Sequence, residues 1–172
     1  GMSGPAILKL SAFAARFLNE KGYKFNTRVN WTNVQNHDAV MLYLKNIVNE
    51  HPGKLLANIR PYSIAGRLWR YLLEKIDLSE KKKWGELSNK GLNKLVAVLT
   101  NDIYSVDGKT TFKEEFVTCG GVSLASIDFN TMQSKVCKNL YFAGEVMDID
   151  GITGGYNFQA AWTTAFIAAK LG

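Results

Sequence analysis

The stretch LYFAGEVMDIDGITGGYNFQAA, residues Leu140 to Ala161, decides how the rest of the chain is read. Leu140 to Ala143 is an apolar run without alternation, the pattern of a strand buried on both faces of a parallel sheet. Gly144 and Glu145 mark its end. A loop rich in glycine and aspartate follows (Asp148, Asp150, Gly151, Gly154, Gly155), and Asn157 to Leu171 then reads as a helix of small and apolar residues. This order predicts that the first amides of the helix, at Gly155, Tyr156 and Asn157, lack internal acceptors and face the space beyond the strand's carboxyl end. The helix dipole favours negative charge there, so the arrangement suits an anionic or electron-rich ligand.

Upstream, Thr118, Cys119, Gly120, Gly121 and Val122 form a shaped turn, because consecutive glycines permit backbone angles that other residues resist. Before it, Ile103 to Val117 reads as a two-stranded ribbon whose turn is Asp107 and Gly108, a strong hairpin signal. Three amphipathic segments, Asn36 to Glu50, Ser63 to Ile76 and Asn89 to Leu99, predict a small helical subdomain over about 36–101. The chain opens with a helical period from Met2 to Lys21, with Pro5 in the first turn and Gly22 as its stop. Alternation from Tyr23 to Trp31 then argues a strand.

With 172 residues, 47% hydrophobic and 21% charged, the chain can bury one sizeable core and a smaller satellite, which excludes the disordered class. No apolar run approaches the 18 or so residues of a membrane span, and the N-terminus lacks the order of a signal peptide, so a cytoplasmic protein is expected. Gly1 before Met2 has the form of a residue left by tag removal. Cys119, Cys137, His37 and His51 complete no zinc pattern; reduced, structural thiols and no metal are expected, with the histidines capping helix ends or exposed. The net charge of +6 raises nucleic acid as a partner. Its only tight run, Lys81 to Lys83, follows Ser79 and Glu80 at what reads as a helix start without an aromatic-rich face. A solvated helical face is therefore expected, as is surface pairing for Arg60, Arg67 and Arg70.

The segment ending in Ala143, Gly144 and Glu145, followed by Asp150, Gly151, Thr153, Gly154, Gly155, Tyr156, Asn157 and Gln159, resembles the close of the bacterial aminoacetone-oxidase-type, or BaiN-like, FAD-dependent oxidoreductases. Thr118 to Val122 is similar to that family's connection into the flavin domain, and Ser3 to Leu8 to a motif near the start of its inserted domain. The resemblance implies an α+β fold. Residues 1–117 form an inserted domain with short strands and the helical subdomain; residues 118–172 form the C-terminal strand-turn-helix remnant of a Rossmann-like FAD-binding domain. It also implies a flavin site at Gly144, Glu145, Gly154, Gly155, Tyr156 and Asn157. Glu145 contacts the ribityl or pyrophosphate portion of FAD, and the amides of Gly155, Tyr156 and Asn157 face the pyrimidine edge. A helix N-terminus near flavin N1 and O2 stabilises the charge that appears there on reduction.

Such enzymes carry a GxGxxG turn that cradles the FAD pyrophosphate, and no GxGxxG occurs in this sequence. The resemblance thus implies a C-terminal part of a flavin-dependent oxidoreductase, without catalysis of its own and with no residue assigned as acid or base. Open strand edges and apolar faces would be covered by the N-terminal FAD-binding half or by a second copy in a homodimer. The parent enzyme would act on a small molecule. The alternative is a non-enzymatic interaction module, or a split-enzyme subunit that pairs with a separate dinucleotide-binding chain.

Overall fold

Asn36 begins the helical part of the molecule by accepting the amides of Asp38 and Ala39 at 2.8 and 3.3 Å, which caps α2 (His37–Glu50). In this computed structural model, which describes residues 2–109 and 117–170, the chain divides into two compact units. One, the helical unit, is Phe25–Val106; the other, the terminal unit, joins Gly1–Lys24 to Asp107–Gly172.

The helical unit packs three helices around one core. Its core draws Val40, Leu44 and Ile47 from α2 and Trp69, Leu72 and Leu73 from α3 (Gly66–Lys75). From α4 (Asn89–Thr100) come Leu92, Leu95, Val96, Val98 and Leu99. Ser88 caps α4 by accepting the Gly91 amide at 3.2 Å. Trp69 stacks on Trp84 with ring centroids 6.3 Å apart, and its Nε1 donates to the Leu56 carbonyl at 2.7 Å. Two strands, β1 (Lys24–Val29) and β2 (Asp102–Asp107), pair with each other. Trp31 N–H donates to Leu99 O at one end and Gly108 N–H to Tyr23 O at the other, so the pairing is antiparallel. The described partner of β2 is thus the distant Tyr23 to Trp31 strand rather than a hairpin neighbour; the second half of the expected ribbon, at 110–116, lies outside the described residues.

Asp102 is buried at the start of β2, where it accepts Trp31 Nε1 at 3.0 Å and Lys75 Nζ at 2.6 Å. The same ammonium lies 3.8 Å from the Tyr104 ring centroid. Burial, helped by hydrogen bonding to Asp102 and Tyr71, pushes the Tyr104 phenol above its ordinary value of 10.0. The folded chain therefore keeps this proton at pH values where the unfolded chain loses it. Its contribution to stability is full below pH 10 and is lost as pH rises from there through the folded value. Denaturant unfolding from about pH 8 upward should show stability falling above about pH 10, and Tyr104→Phe should flatten that fall. An unchanged slope in the variant would assign the loss to other groups.

One segment departs from the sequence reading. Lys81 to Lys83 are not helical: a turn through Glu80 and Lys81 and a bend at Lys82 lead to Lys83, which is bridged to Leu55 in antiparallel sense and precedes the short 3-10 helix Trp84–Glu86. Leu56 N–H donates to Lys82 O and Trp84 N–H to Lys54 O. Burial of Trp84 on Trp69 fixes this path and outweighs the helical pattern of the charged residues.

In the terminal unit, α1 (Pro5–Glu20) follows the expected period, yet none of its residues is buried, and Phe13 is 81% exposed. The core is small, built on Ile127, Met132 and Met147. A short antiparallel pair, β3 (Ile127–Asp128) with β4 (Gln133–Ser134), frames it. Leu140 to Ala143 is not the strand buried on both faces that its composition predicts. Leu140 and Tyr141 are about two-fifths exposed, and the segment makes one antiparallel bridge, Gln133 to Tyr141. A buried parallel strand needs paired backbone on both edges and cover on both faces. Here, among the described residues, only Phe142 packs on the small core. The C-terminal helix forms as read, as α5 (Tyr156–Ala169); Leu171 lies outside the described residues. Among the described residues, no helix is long and apolar enough to cross a membrane.

Candidate functional site

Each expected site residue sits on one of two features of α5. The first is the turn Gly144–Val146, which packs on the helix flank. Gly144 takes φ 78°, a left-handed angle that favours glycine, and its N–H donates to Thr164 Oγ1 at 3.1 Å. Thr164 is buried and back-bonds to Ala160 O at 2.8 Å, so one hydroxyl ties the turn to the helix. Glu145 projects exposed from this turn, with no ion pair among the described residues.

The second feature is the helix start. Gly155, at φ 86°, is the N-cap, and no side chain caps the helix. The first helical bond runs from Gln159 N–H to Gly155 O, so Tyr156, Asn157 and Phe158 present amides without helical acceptors. A Cβ at Gly155 would meet nothing within 4 Å, so the space beside the N-cap is open. Asn157 has a further role that its place in the motif did not reveal. Its Oδ1 accepts the Gly151 amide at 2.7 Å and its Nδ2 donates to the Gly151 carbonyl at 2.9 Å. This two-bond clamp holds the Asp150–Thr153 loop against the first turn of α5. Thr164 lies eight residues beyond Tyr156, about 12 Å along the helix axis. The two features therefore do not meet at a point; they suit the two ends of an elongated ligand.

Beside the clamped loop is a cleft of about 600 Å³, lined by Ala12, Ala15 and Arg16 of α1, by Thr118 and Cys119, and by Gly151. Arg16 pairs with Asp148, and Asp148 N–H in turn donates to Val122 O at 3.0 Å. The carboxylate of Asp148, with Cys119 beside it, pushes the Arg16 guanidinium above its ordinary value. Arg16 and Thr164 escaped the sequence reading, since each is one polar residue among several in its helix. Among the weaker candidates, Arg70 is paired with Glu80 at 2.9 Å as expected, and His37 Nε2 lies 3.1 Å from Thr100 Oγ1 at the start of α2. His51 follows the end of that helix, exposed. Cys119 and Cys137 are free thiols. Among the described residues, no group of three or more His, Cys, Asp or Glu could hold a metal ion.

The chain is similar to the ribosomal RNA dihydrouridine synthase of Escherichia coli, at 30% identity over 99% of this chain and 40% of that protein. The protein of the same description from Haemophilus influenzae is 28% identical over 98% of this chain and 39% of its own length. The 3-dehydro-bile acid delta(4,6)-reductase of Clostridium scindens is 26% identical over 99% of this chain and 41% of its own length. The chain thus spans about two fifths of the length of these relatives. The model of the HI0933-like protein Rossmann domain matches residues 7–171, and the chain belongs to that family.

Proposed function

We propose that this chain is the part of an FAD-dependent oxidoreductase that supplies an inserted, substrate-side domain and part of the FAD site, and that it does not catalyse alone. Family membership and a reductase among its relatives point to a dinucleotide or flavin cofactor and to a flavin-type oxidoreductase. The observation that carries the finer reading is the uncapped start of α5, with its left-handed Gly155 and the loop clamped by Asn157. These residues fit the flavin end of FAD. The Tyr156 and Asn157 amides are free to donate to the pyrimidine edge, Gly155 leaves the space beside the N-cap open, and exposed Glu145 can accept from a ribityl hydroxyl. When bound, the flavin supplies hydride or electron transfer. The chain's own residues orient the ring and favour negative charge at its N1 and O2 edge.

In this reading residues 118–172 are the remnant of the FAD-binding domain and residues 1–117 the inserted domain. A specific observation supports pairing with a second polypeptide: Phe158, Trp162 and Phe166, four residues apart on α5, are each more than 60% exposed. Such an aromatic stripe suits burial by the dinucleotide-binding half, or by a second copy of the chain. Of the two kinds of substrate in the relatives' names, a ribosomal RNA and a bile acid, the net charge of +6 suits the RNA.

The test is a titration of the chain with FAD and with FMN, followed by flavin fluorescence and absorbance. Because the residues named address the flavin end, both should bind saturably with similar dissociation constants, on the order of 100 μM. Glu145→Ala should weaken both about tenfold, the loss of one charge-assisted hydrogen bond. No saturation at millimolar flavin, or equal affinity in the variant, would overturn the assignment.

A further inference from the structure

The excess positive charge is not spread evenly. Between Phe25 and Val106 there are twelve Lys and Arg against seven Asp and Glu, a net +5, while the rest of the chain carries nine against eight. Within the helical unit the fold gathers these cations from three separate stretches. The antiparallel bridge of Leu55 to Lys83 sets Lys54 beside the turn-and-bridge segment of Lys81 and Lys83, and all three are exposed. The Arg70–Glu80 ion pair ties this run to α3. One turn earlier on that helix is Arg67, and the Arg60 guanidinium reaches over neighbouring Gly66, its Nη1 only 3.0 Å from where a Cβ would stand. Apart from the Arg70–Glu80 link, the basic residues of this strip form no ion pair among the described residues.

The strip continues into an aromatic pair. Tyr62, two residues beyond Arg60, packs at a 41° tilt against the partly exposed Tyr43 of α2 with ring centroids 4.6 Å apart. A row of uncommitted cations next to an accessible aromatic ring has the chemistry of a single-stranded or looped RNA surface. The cations neutralise phosphates, and the ring takes an unstacked base.

We propose that the helical unit binds RNA through this strip, with Lys54, Lys81, Lys83, Arg60 and Arg67 on the phosphates and Tyr43 under a base. The proposal rests on the reading of the substrate side as RNA and adds the surface that holds it. The expectation of a solvated helical face fell on Lys81 to Lys83 alone. The structure makes that run a turn and a bridge rather than a helix and brings Lys54 and the arginines of other segments to it.

The test is fluorescence anisotropy of a labelled RNA hairpin with the full chain, without flavin, in KCl from about 50 to 200 mM. The wild-type chain should bind saturably at the low end, with log Kd rising steeply in log salt. The triple variant Lys54→Ala, Lys81→Ala, Lys83→Ala should lose at least tenfold in affinity, and its salt slope should fall by about 2 to 3. Tyr43→Ala should weaken binding about tenfold and leave the slope unchanged. Lys138→Ala in the terminal unit should change neither. The proposal is overturned if the wild-type chain does not bind the hairpin at about 50 mM KCl, if the triple variant keeps affinity and slope, or if the chain binds phosphatidylserine vesicles and not RNA. FAD titration of the triple variant separates the two readings. Retained flavin binding with lost RNA binding supports the strip independently of the flavin site, and RNA binding that persists where flavin fails would sink only the flavin assignment.

Discussion

Gly121→Ala is expected to unfold the core of the terminal unit while leaving the helical unit intact. Val122 forms a parallel bridge with Met147, made by Val122 N–H to Val146 O at 2.8 Å and Asp148 N–H to Val122 O at 3.0 Å. That pairing brings the backbone of Val146 and Met147 so close to Gly121 that a Cβ there would lie 2.6 Å from Val146 O and from the Met147 carbonyl carbon. These are main-chain atoms, so no rotamer change relieves the clash; the two segments must part. Little else holds them, since the buried core of this unit is Ile127, Met132 and Met147. The cost should be about 3 kcal/mol or more, at the upper end of overpacking. Thermal unfolding can be read separately in each unit, because Trp162 alone reports the terminal unit while Trp31, Trp69 and Trp84 report the other. The Trp162 transition should drop or vanish and the others should hold. A variant with both transitions in place would show that the 118–149 segment is not organised around this approach.

Trp69→Ala should have the complementary effect, about 3 to 5 kcal/mol lost from the helical unit. The ring is fully buried, stacks on Trp84 and donates to Leu56 O, so its removal leaves a cavity and an unpaired carbonyl together. Urea unfolding should show a lower midpoint at an unchanged slope. A loss below about 1 kcal/mol would mean that the site collapses around the deletion.

The helical unit was legible in sequence because its information is local. Periodic apolar residues, the Asn36 and Ser88 caps, and Pro52 with Gly53 after α2 define elements that pack chiefly on one another. Lys81 to Lys83 misled because a charged run has no inward-facing residue to show its period, and its path is set by Trp84. Leu140 to Ala143 misled for a different reason. Composition states what a segment would bury if flanked, whereas the described residues flank it along one edge, at Met132 to Ser134. At the candidate site, the glycines and the start of α5 were legible, since left-handed backbone at Gly144 and Gly155 leaves glycine as its signature. Thr164 and the Asn157 clamp were not, because they act across turns that only the folded backbone brings together.

The most direct test of the flavin assignment is amide hydrogen exchange of the chain with and without FAD. Protection on adding FAD should appear at Tyr156 and Asn157 and in the Asp150–Thr153 loop, and be reduced in Glu145→Ala at the same FAD concentration, with α2, α3 and α4 unchanged. Protection confined to other segments, or none at a concentration that saturates the fluorescence change, would contradict a flavin held at the start of α5.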